Sequence, residues 1–222
     1  MPALSVVVPV APGDSAWRGL VDVLAGLSAD CECIFSGSGP RPEQGLPAAA
    51  RWVRGKPGRA LQLNRGVRAA AAPMLWLLHA DSRPDARVLA RVQDGLTAER
   101  AQTRIAYFDL AFVDGPRAVA LNAWGARLRS RLFALPYGDQ GWLLPRAVFE
   151  QLGGFDATFG RGEDLDFIVR ARAAGVSIEA LGVPLVTSAR RYREQGWWAT
   201  TREHLRLTLE LRRKALNRIE NK

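Results

Sequence analysis

The sequence predicts an α/β protein with a mostly parallel central sheet and helices on both faces. Three observations lead to this prediction. Short apolar or β-branched runs alternate with segments of helical periodicity, as in proteins whose strands are joined by crossover helices. The runs 4–8 and 74–78 are strongly apolar, which is typical of strands buried on both faces. The chain has 222 residues, 48% of them hydrophobic, which suits one domain with a sizeable core.

Strands and helices alternate through the first half of the chain. Residues 15–27 carry apolar side chains at helical spacing, with Asp14 or Ser15 as the N-cap. Residues 104–113 alternate and contain two aromatic side chains, which favours a strand. The predicted strands are 4–8, 31–35, 48–53, 74–78 and 104–113, and the predicted helices are 15–27, 60–72, 85–96 and 116–133.

The second half is richer in glycine and in short elements. Gly153 and Gly154 end a short helix that opens at Pro145, and the glycine-broken loop 159–162 leads into a further helix. The last helix is predicted at 197–219 and has one strongly basic side. We expect strands at 142–144, 178–181 and 184–187, a helix at 163–174, and a basic loop at 188–193.

Two glycine-containing turns have features of ligand sites. The loop 36–40 contains Gly37, and its backbone N–H groups can approach a ligand, although an ordinary turn explains the same residues. The turn 55–59 places Lys56 and Arg59 at a helix N-terminus, where the helix dipole favours an anion. A solvated basic loop is the alternative for this turn.

Carboxylates stand at two positions where a ligand site is expected. Asp81 follows the buried run 74–78, and ligands of open α/β sheets bind outside the carboxyl ends of the strands. Asp81 then holds a metal ion or a phosphate-bearing substrate, or it caps the helix that begins near Pro84. Glu163 and Asp164 lie in the first turn of a helix, where the dipole alone stabilises them. They belong to a site only if they face the same cleft as Asp81.

The net charge narrows the class of binding partners, and the two cysteines indicate the cellular compartment. A net charge of +9 suits nucleic acid, an acidic membrane surface or phosphorylated small molecules. The arginines are spread over several helices and the aromatics form no stacking platform, so we expect no nucleic acid partner. Cys31 and Cys33 stand too close on one strand for an unstrained disulfide, and no zinc-site spacing accompanies them. Their chemistry fits two core residues of a cytoplasmic protein.

Membrane association is expected to be peripheral at most. The first residues show no signal-peptide pattern, and no stretch approaches about 18 uninterrupted apolar residues. The last helix, with Trp197 and Trp198 at its start, is either docked on the domain or rests on anionic lipid at the inner face of the membrane.

Several motifs occur together in one order. They are Leu-Ser-Val-Val-Val-Pro-Val at 4–10, Gly-Arg-Ala-Leu-Gln-Leu-Asn-Arg-Gly at 58–66, Leu-His-Ala-Asp-Ser-Arg at 78–83, Gly-Asp-Gln at 138–140, Gly-Gly-Phe at 153–155, Glu-Asp at 163–164 and Thr-Ser-Ala-Arg-Arg-Tyr at 187–192. This order resembles the inverting family-2 glycosyltransferases of the GT-A fold. It is most similar to a short bacterial branch, the arsenosugar-biosynthesis glycosyltransferases. The resemblance covers nearly the whole chain, and the ordered set is far more specific than any one motif.

The resemblance implies an inverting transfer of sugar from a nucleotide-sugar, a UDP- or GDP-sugar, to an acceptor hydroxyl of a small molecule or a lipid-linked molecule. Asp164 is the implied general base, with Glu163 orienting it or contacting the acceptor. Asp81 is the implied residue for a divalent cation, Mg²⁺ or Mn²⁺, and for the diphosphate. Asp139 and Gln140 are implied on the acceptor side. The implied nucleotide-sugar residues are Pro9, Val10, Gly37, Arg59, Asn64, Ala80, Asp81, Arg190 and Arg191.

Two departures from the family pattern concern the nucleotide and the metal. The residue in place of the second acid of the aspartate-x-aspartate motif is Arg83, and the loop 36–40 lacks the usual acid. A non-catalytic nucleotide-binding relative is therefore one alternative. A nucleotidyltransferase is another, disfavoured because no basic residue follows the first strand before Arg18. We expect one domain, with 1–113 as the nucleotide-binding half, 114–196 as the acceptor and catalytic half, and 197–222 as a terminal helix.

Overall fold

The computed structural model describes residues 2–28, 30–47, 49–97 and 103–220. In this part of the chain a seven-stranded sheet has the order β3-β2-β1-β4-β6-β5-β7. The strands are β1 Leu4–Pro9, β2 Cys31–Gly37, β3 Arg51–Arg54, β4 Met74–Leu77, β5 Arg104–Val113, β6 Trp142–Pro145 and β7 Ser177–Ser188. The helices are α1 Arg18–Leu24, α2 Arg59–Ala69, α3 Ala86–Thr97, α4 Val119–Phe133, α5 Arg146–Gln151, α6 Glu163–Ala173, α7 Arg190–Gln195 and α8 Trp197–Glu220.

The prediction of a mostly parallel sheet is confirmed. β1 pairs in parallel with β2 and β4, β2 with β3, and β5 with β7. Only β6 among the described strands runs the other way, antiparallel to both β4 and β5. The carboxyl ends of β1, β2, β4 and β5 therefore meet at one edge of the sheet, where a ligand site is expected.

The apolar strands are buried on both faces, as their sequences predict. Val7, Leu75 and Leu77 lie in a core with helices α2 and α6, whereas Trp76 and Leu78 point into the core on the other face. This alternation follows the two-residue period of a strand. Each face therefore has its own apolar layer, and burying side chains of this size stabilises the fold by about 1.5 to 3 kcal/mol apiece.

Several element boundaries differ from the predicted ones. The two short strands expected after α6 form one strand, β7, whose register against β5 shifts between Tyr107 and Asp109. The predicted basic loop at 188–193 is wrong, because Ser188 ends β7 and α7 begins at Arg190. β3 begins at Arg51, later than predicted, and Ala48 of that prediction lies outside the described residues.

Two further features concern helices α3 and α8. Asp85 caps α3, since its Oδ1 accepts a hydrogen bond of 3.0 Å from the Val88 N–H. Asp85 therefore occupies the N-cap of α3, which excludes the alternative that Asp81 caps this helix. Among the described helices, including the 24-residue α8, none is both long enough and apolar enough to cross a bilayer.

Candidate active site

Asp81 lies at the carboxyl edge of the sheet, just beyond β4. Its carboxylate accepts a hydrogen bond from the Thr187 hydroxyl near the end of β7. Burial raises its pKa, and the negative charge of Asp14 adds to this, while the positive charge of Arg190 opposes it. Ala80 is buried directly before it. The side chain of Asp81 is therefore partly open to a ligand at this edge of the sheet.

Arg59, the first residue of α2, joins the two halves of the chain. Its Nη1 lies 3.1 Å from Glu163 Oε1 and 3.4 Å from Asp164 Oδ2. Burial by itself would lower the pKa of this guanidinium, but the negative charges of Asp164 and Glu163 outweigh burial and raise the pKa. Arg59 was expected to bind the nucleotide, but its guanidinium contacts the carboxylates of α6.

Asp164 is held by backbone donors as well as by Arg59. The Gly138 N–H donates to Oδ2 at 2.9 Å, and the Leu165 N–H donates to Oδ1 at 2.8 Å. Burial raises the pKa of this carboxyl, but the charge of Arg59 and the two N–H donors prevail and lower it. Asp164 is thus ionised at neutral pH and fixed in orientation.

Glu163, its neighbour, is shifted the other way. Its side chain is almost completely buried, and burial raises its pKa despite the nearby positive charge of Arg59. Two adjacent carboxyls in the first turn of α6 therefore have pKa values displaced in opposite directions, which is the usual condition for giving them different roles.

His79 is a site residue to which the sequence analysis assigned no role. Its Nε2 accepts a hydrogen bond from Arg59 Nη2. Burial and the charge of Arg59 lower its pKa to about 3, so the ring is neutral. Because arginine has no acceptor, the ring proton stays on Nδ1, which lies 3.9 Å from Asp81 Oδ1. His79 therefore lies between Asp81 and Arg59 and is hydrogen-bonded to Arg59. Its place in the motif Leu-His-Ala-Asp was the available signal.

Asp139 and Gln140 lie in a single 3₁₀ turn, Gly138–Gln140, before β6. Burial raises the pKa of Asp139 to about 6, against the opposing charges of Arg129 and Arg59. Its Oδ1 is buried and has no hydrogen-bond partner among the described residues. Such an orphaned carboxylate oxygen is costly unless a ligand donates to it.

Gln140 is completely buried, and both its amide oxygen and its amide nitrogen are hydrogen-bonded. Its Oε1 accepts from Ser130 Oγ at 2.8 Å and from the Tyr137 N–H at 3.0 Å, and its Nε2 donates to the Phe108 carbonyl at 3.0 Å. These bonds fix the turn that presents Asp139. Gln140 therefore acts on the site indirectly, by positioning Asp139.

Asn64 has a similar supporting place. Its Nδ2 donates to the Phe155 carbonyl at 2.7 Å, and its Oδ1 accepts from the Phe155 N–H at 2.9 Å. Gly154 has φ 68°, and a Cβ there would come within 2.8 Å of Asn64 Oδ1. The structure thus places Asn64 on the Gly-Gly-Phe loop, away from the nucleotide position expected for it.

A cleft of about 360 Å³ opens between the ends of β1 and β2. Val10 and Gly37, both expected near the nucleotide, line it, and Pro9 ends β1 beside it. Asp14 also lines the cleft, as does Trp52, which was not predicted. A Cβ at Gly37 would lie 2.1 Å from the Trp52 ring, so glycine is what lets this ring close the cleft.

Gln62 supports the same cleft from α2. Its side-chain amide donates to the Val10 carbonyl, and to the Ser36 carbonyl at 3.0 Å. These bonds tie the carboxyl ends of β1 and β2 together. Gln62 belongs to the motif at 58–66, but the sequence analysis gave it no role.

Arg190 and Arg191 open α7 but point to different partners. Arg190 acts electrostatically on Asp81, and its Nε lies 3.9 Å from Glu194 Oε1 in an exposed pair. Arg191 Nη1 lies 3.4 Å from His204 Nε2 on α8. The structure therefore brings Arg190 towards the cleft and directs Arg191 to the terminal helix.

A divalent cation would find one protein carboxylate at the expected place. The described residues contain no group of three or more His, Cys, Asp and Glu side chains that could hold a metal ion. Asp81 offers a partly exposed oxygen ligand of the kind that Mg²⁺ and Mn²⁺ accept, and these ions commonly complete their shell with water and phosphate oxygens. Asp81 therefore fits a metal ion only if the oxygens of a bound diphosphate supply further ligands.

The sequence matches the family model described as "Glycosyltransferase like family 2" over residues 43–208, about three quarters of the chain. A search of curated protein sequences finds no significant match. Solved structures extend the comparison to the fold.

Residues 1–349 of TarS from S. aureus match with a TM-score of 0.64 at 13% identity, covering 85% of this chain and 60% of that one. Glucosyl-3-phosphoglycerate synthase from Mycobacterium tuberculosis, in complex with Mn²⁺, UDP-glucose and phosphoglyceric acid, matches with a TM-score of 0.60 at 20% identity, covering 88% of this chain and 75% of that one. The mannosyltransferase PcManGT from Pyrobaculum calidifontis, in complex with GDP-Man and Mn²⁺, matches with a TM-score of 0.59 at 18% identity, covering 83% of this chain and 56% of that one.

These matches show a GT-A type fold, which confirms the predicted fold class. The chain spans about 60% of the length of the TarS chain that it matches.

Proposed function

Because the chain belongs to the family 2-like glycosyltransferases, we propose that it moves a sugar from a nucleotide-sugar donor to an acceptor hydroxyl with inversion at the anomeric carbon. The observation that supports this most directly is the pairing of Arg59 with Glu163 and Asp164, next to His79, whose ring lies 3.9 Å from Asp81 Oδ1. It supports a diphosphate-side role for Asp81 and a base role for Asp164 within one site. The narrower placement in the arsenosugar-biosynthesis branch rests on the ordered sequence motifs.

In the proposed reaction Asp164 is the general base. The acceptor oxygen attacks the anomeric carbon, its proton passes to the Asp164 carboxylate, and the bond from that carbon to the diphosphate oxygen breaks with its electron pair. Three donors orient the carboxylate, namely the Gly138 N–H, the Leu165 N–H and Arg59 Nη1. Glu163 acts by pairing with Arg59 Nη1, the same nitrogen that contacts Asp164.

The leaving diphosphate is stabilised at Asp81 and Arg190. A Mg²⁺ or Mn²⁺ ion held by Asp81 and the phosphate oxygens would neutralise the charge that develops there. The exposed Arg190 guanidinium, whose charge already acts on Asp81, can donate to the phosphate oxygens in the same region. Arg191 contributes by fixing α7 against α8 through His204.

The nucleotide lies in the cleft between the ends of β1 and β2, against Val10, Gly37 and Trp52. UDP or GDP is the expected carrier, and solved proteins of this fold have been seen with UDP, UDP-glucose and GDP-Man. The acceptor is a small molecule or a lipid-linked molecule, and a second hydroxyl of it, not the attacking one, donates to the orphaned Oδ1 of Asp139. In this proposal residues 1–113 bind the donor and residues 114–196 bind the acceptor. The reaction takes place in the cytoplasm.

Thermal unfolding with UDP, GDP and their sugars, with and without Mn²⁺, tests the proposal. At least one nucleotide should raise the Tm, and Asp81→Ala should abolish the extra rise that Mn²⁺ brings. Incubation of the stabilising nucleotide-sugar with acceptor mixtures should then release the nucleoside diphosphate. No rise with any nucleotide would refute the transferase function, whereas binding without release from any donor would favour the non-catalytic alternative.

A further inference from the structure

Helix α4 presents an unpartnered apolar stripe to solvent. Leu121, Trp124, Leu128 and Leu132 recur at intervals of three or four residues, which places them on one side of the helix. Each is between 42 and 66% exposed. The buried residues of α4, Val119, Ala126 and Ser130, lie on its other side. A stripe of four large exposed apolar side chains marks an interaction surface.

Helix α8 contacts α4 through side chains near the start of each helix, and it has an exposed apolar stripe of its own. The Asn122 side-chain amide donates to Thr201 Oγ1 at 3.0 Å, and its carbonyl accepts from Trp197 Nε1 at 2.5 Å. On the solvent side of α8, three apolar side chains are between 64 and 78% exposed. They are Trp198, Leu205 and Leu209. We call the exposed stripes of these two helices the α4–α8 face.

Arginines surround the apolar side chains of the α4–α8 face. Arg127 and Arg131 flank the α4 stripe, and their guanidinium groups lie 3.2 and 3.0 Å from the buried Asp109 Oδ2. Arg202 and Arg213 are exposed on α8. A second copy of this chain would bring the same arginines together across a two-fold contact, which like-charge repulsion opposes. Tryptophan and leucine framed by arginine are instead the side chains of an interfacial helix on anionic lipid.

We propose that the α4–α8 face docks the protein on an anionic membrane surface. The apolar stripes enter the headgroup region, and the arginines contact lipid phosphates. The expected membrane contact of the last helix is thereby extended to α4, whose stripe carries four of the seven apolar side chains of the α4–α8 face. The docking itself does not depend on the proposed function.

Docking through this face would bring the protein to a lipid-linked acceptor. This part of the inference rests on the proposed function. The Arg129 guanidinium, in the last turns of α4, stacks 3.6 Å from the centre of the Tyr137 ring. Tyr137 directly precedes the turn that presents Asp139. The helix that carries the α4 stripe therefore also contacts the acceptor side of the site, where a lipid-linked acceptor would bind.

Vesicle co-sedimentation of the full chain tests the docking. We expect binding to vesicles of phosphatidylcholine with phosphatidylglycerol, weaker binding to phosphatidylcholine alone, and loss of binding at high salt. The double substitution Trp124→Ala and Leu128→Ala should weaken binding by about tenfold or more, from the lost apolar burial. Leu61→Ala, at an exposed position on α2, is the matched control and should bind like the unchanged chain.

A charge series gives an independent readout. Arg202→Glu with Arg213→Glu should weaken binding to the anionic vesicles, whereas Arg68→Glu on the exposed side of α2 should weaken it much less. Nucleotide-induced thermal shifts should be the same in all these variants, so a failed docking and a failed transferase function give different results. Equal binding of all variants, or no binding at low salt, would overturn the proposal. A dimer in solution that Trp124→Ala breaks, without vesicle binding, would assign the face to self-association instead.

Discussion

Arg59 Nη1 lies 3.4 Å from Asp164 Oδ2, although 105 residues separate the two along the chain. The contact brings the first turn of α2 to the first turn of α6. One guanidinium thereby opposes the effect of burial on two neighbouring carboxyls and also donates to His79.

Asp164→Asn should abolish sugar transfer while nucleotide binding persists. The amide cannot accept the acceptor proton, and general-base assistance is typically worth about 10²- to 10⁴-fold in rate. Donor turnover and the nucleotide-induced rise in Tm measure the two effects separately. Asp22→Asn, at an exposed carboxylate of α1, is the control and should retain transfer. Transfer at an unchanged rate in Asp164→Asn would exclude Asp164 as the base.

Arg59→Ala should destabilise the fold as well as the site. It leaves two largely buried carboxylates without their counter-charge, and breaking such a pair costs about 3 kcal/mol or more. Urea unfolding at neutral pH measures the loss, and the deficit should shrink at low pH, where the carboxyls are protonated. Arg68→Ala on the exposed side of the same helix is the control. Equal midpoints for the two variants would contradict the role given to Arg59.

Asp139→Asn should stabilise the protein at neutral pH. The pKa of Asp139 is about 6 in the folded chain against an ordinary value of 3.8, so the folded state holds this proton more tightly than the unfolded state. Stability from this group is therefore present below the ordinary pKa and is lost as the pH rises through about 6. The variant avoids that loss, by about 1 to 3 kcal/mol at neutral pH. Urea unfolding of both proteins across the acid range should show the difference vanish near the ordinary pKa.

Gly37→Ala should impair nucleotide binding. Its new methyl group would lie 2.1 Å from the Trp52 ring, so the ring must leave its place against the cleft. Forcing an extra methyl group into a packed site costs about 1 to 3 kcal/mol. Gly39→Ala is a matched control two residues away, because no atom lies within 4 Å of the position of its Cβ. Isothermal titration with the stabilising nucleotide should separate the two variants, and equal affinities would contradict the placement of the nucleotide.

Some of the site follows from local patterns. The apolar run 74–78 predicts a buried strand, and its polar end places Asp81 at the ligand edge. The three acids that open α6 are stabilised by its dipole, and the structure has that helix begin at Glu163 as predicted. Such signals depend on neighbours within a few residues, so they can be read from the chain itself.

Other residues could not be assigned in this way. Asn64 and Gln140 are polar residues within the family-like motifs, and their side chains look equally suited to a ligand or to the backbone. Only the folded chain shows Asn64 bonded to Phe155 and Gln140 bonded to Phe108, across 91 and 32 residues. The same limit applies to His79, whose role depends on the charge of Arg59.

The sequence by itself determined the elements, their buried faces and the acids at their ends, because periodicity and helix capping act locally. The tertiary structure alone decided which charges meet. The reversed strand β6 enters between β4 and β5 and is preceded by the turn Gly138–Gln140, so the Gly138 N–H reaches Asp164. Burial at that meeting point raises the pKa of Asp139, whereas at Asp164 the effect of burial is outweighed by the charge of Arg59 and the backbone donors, which lower the pKa. Those shifts depend on distances between residues far apart in the chain, which local patterns do not contain.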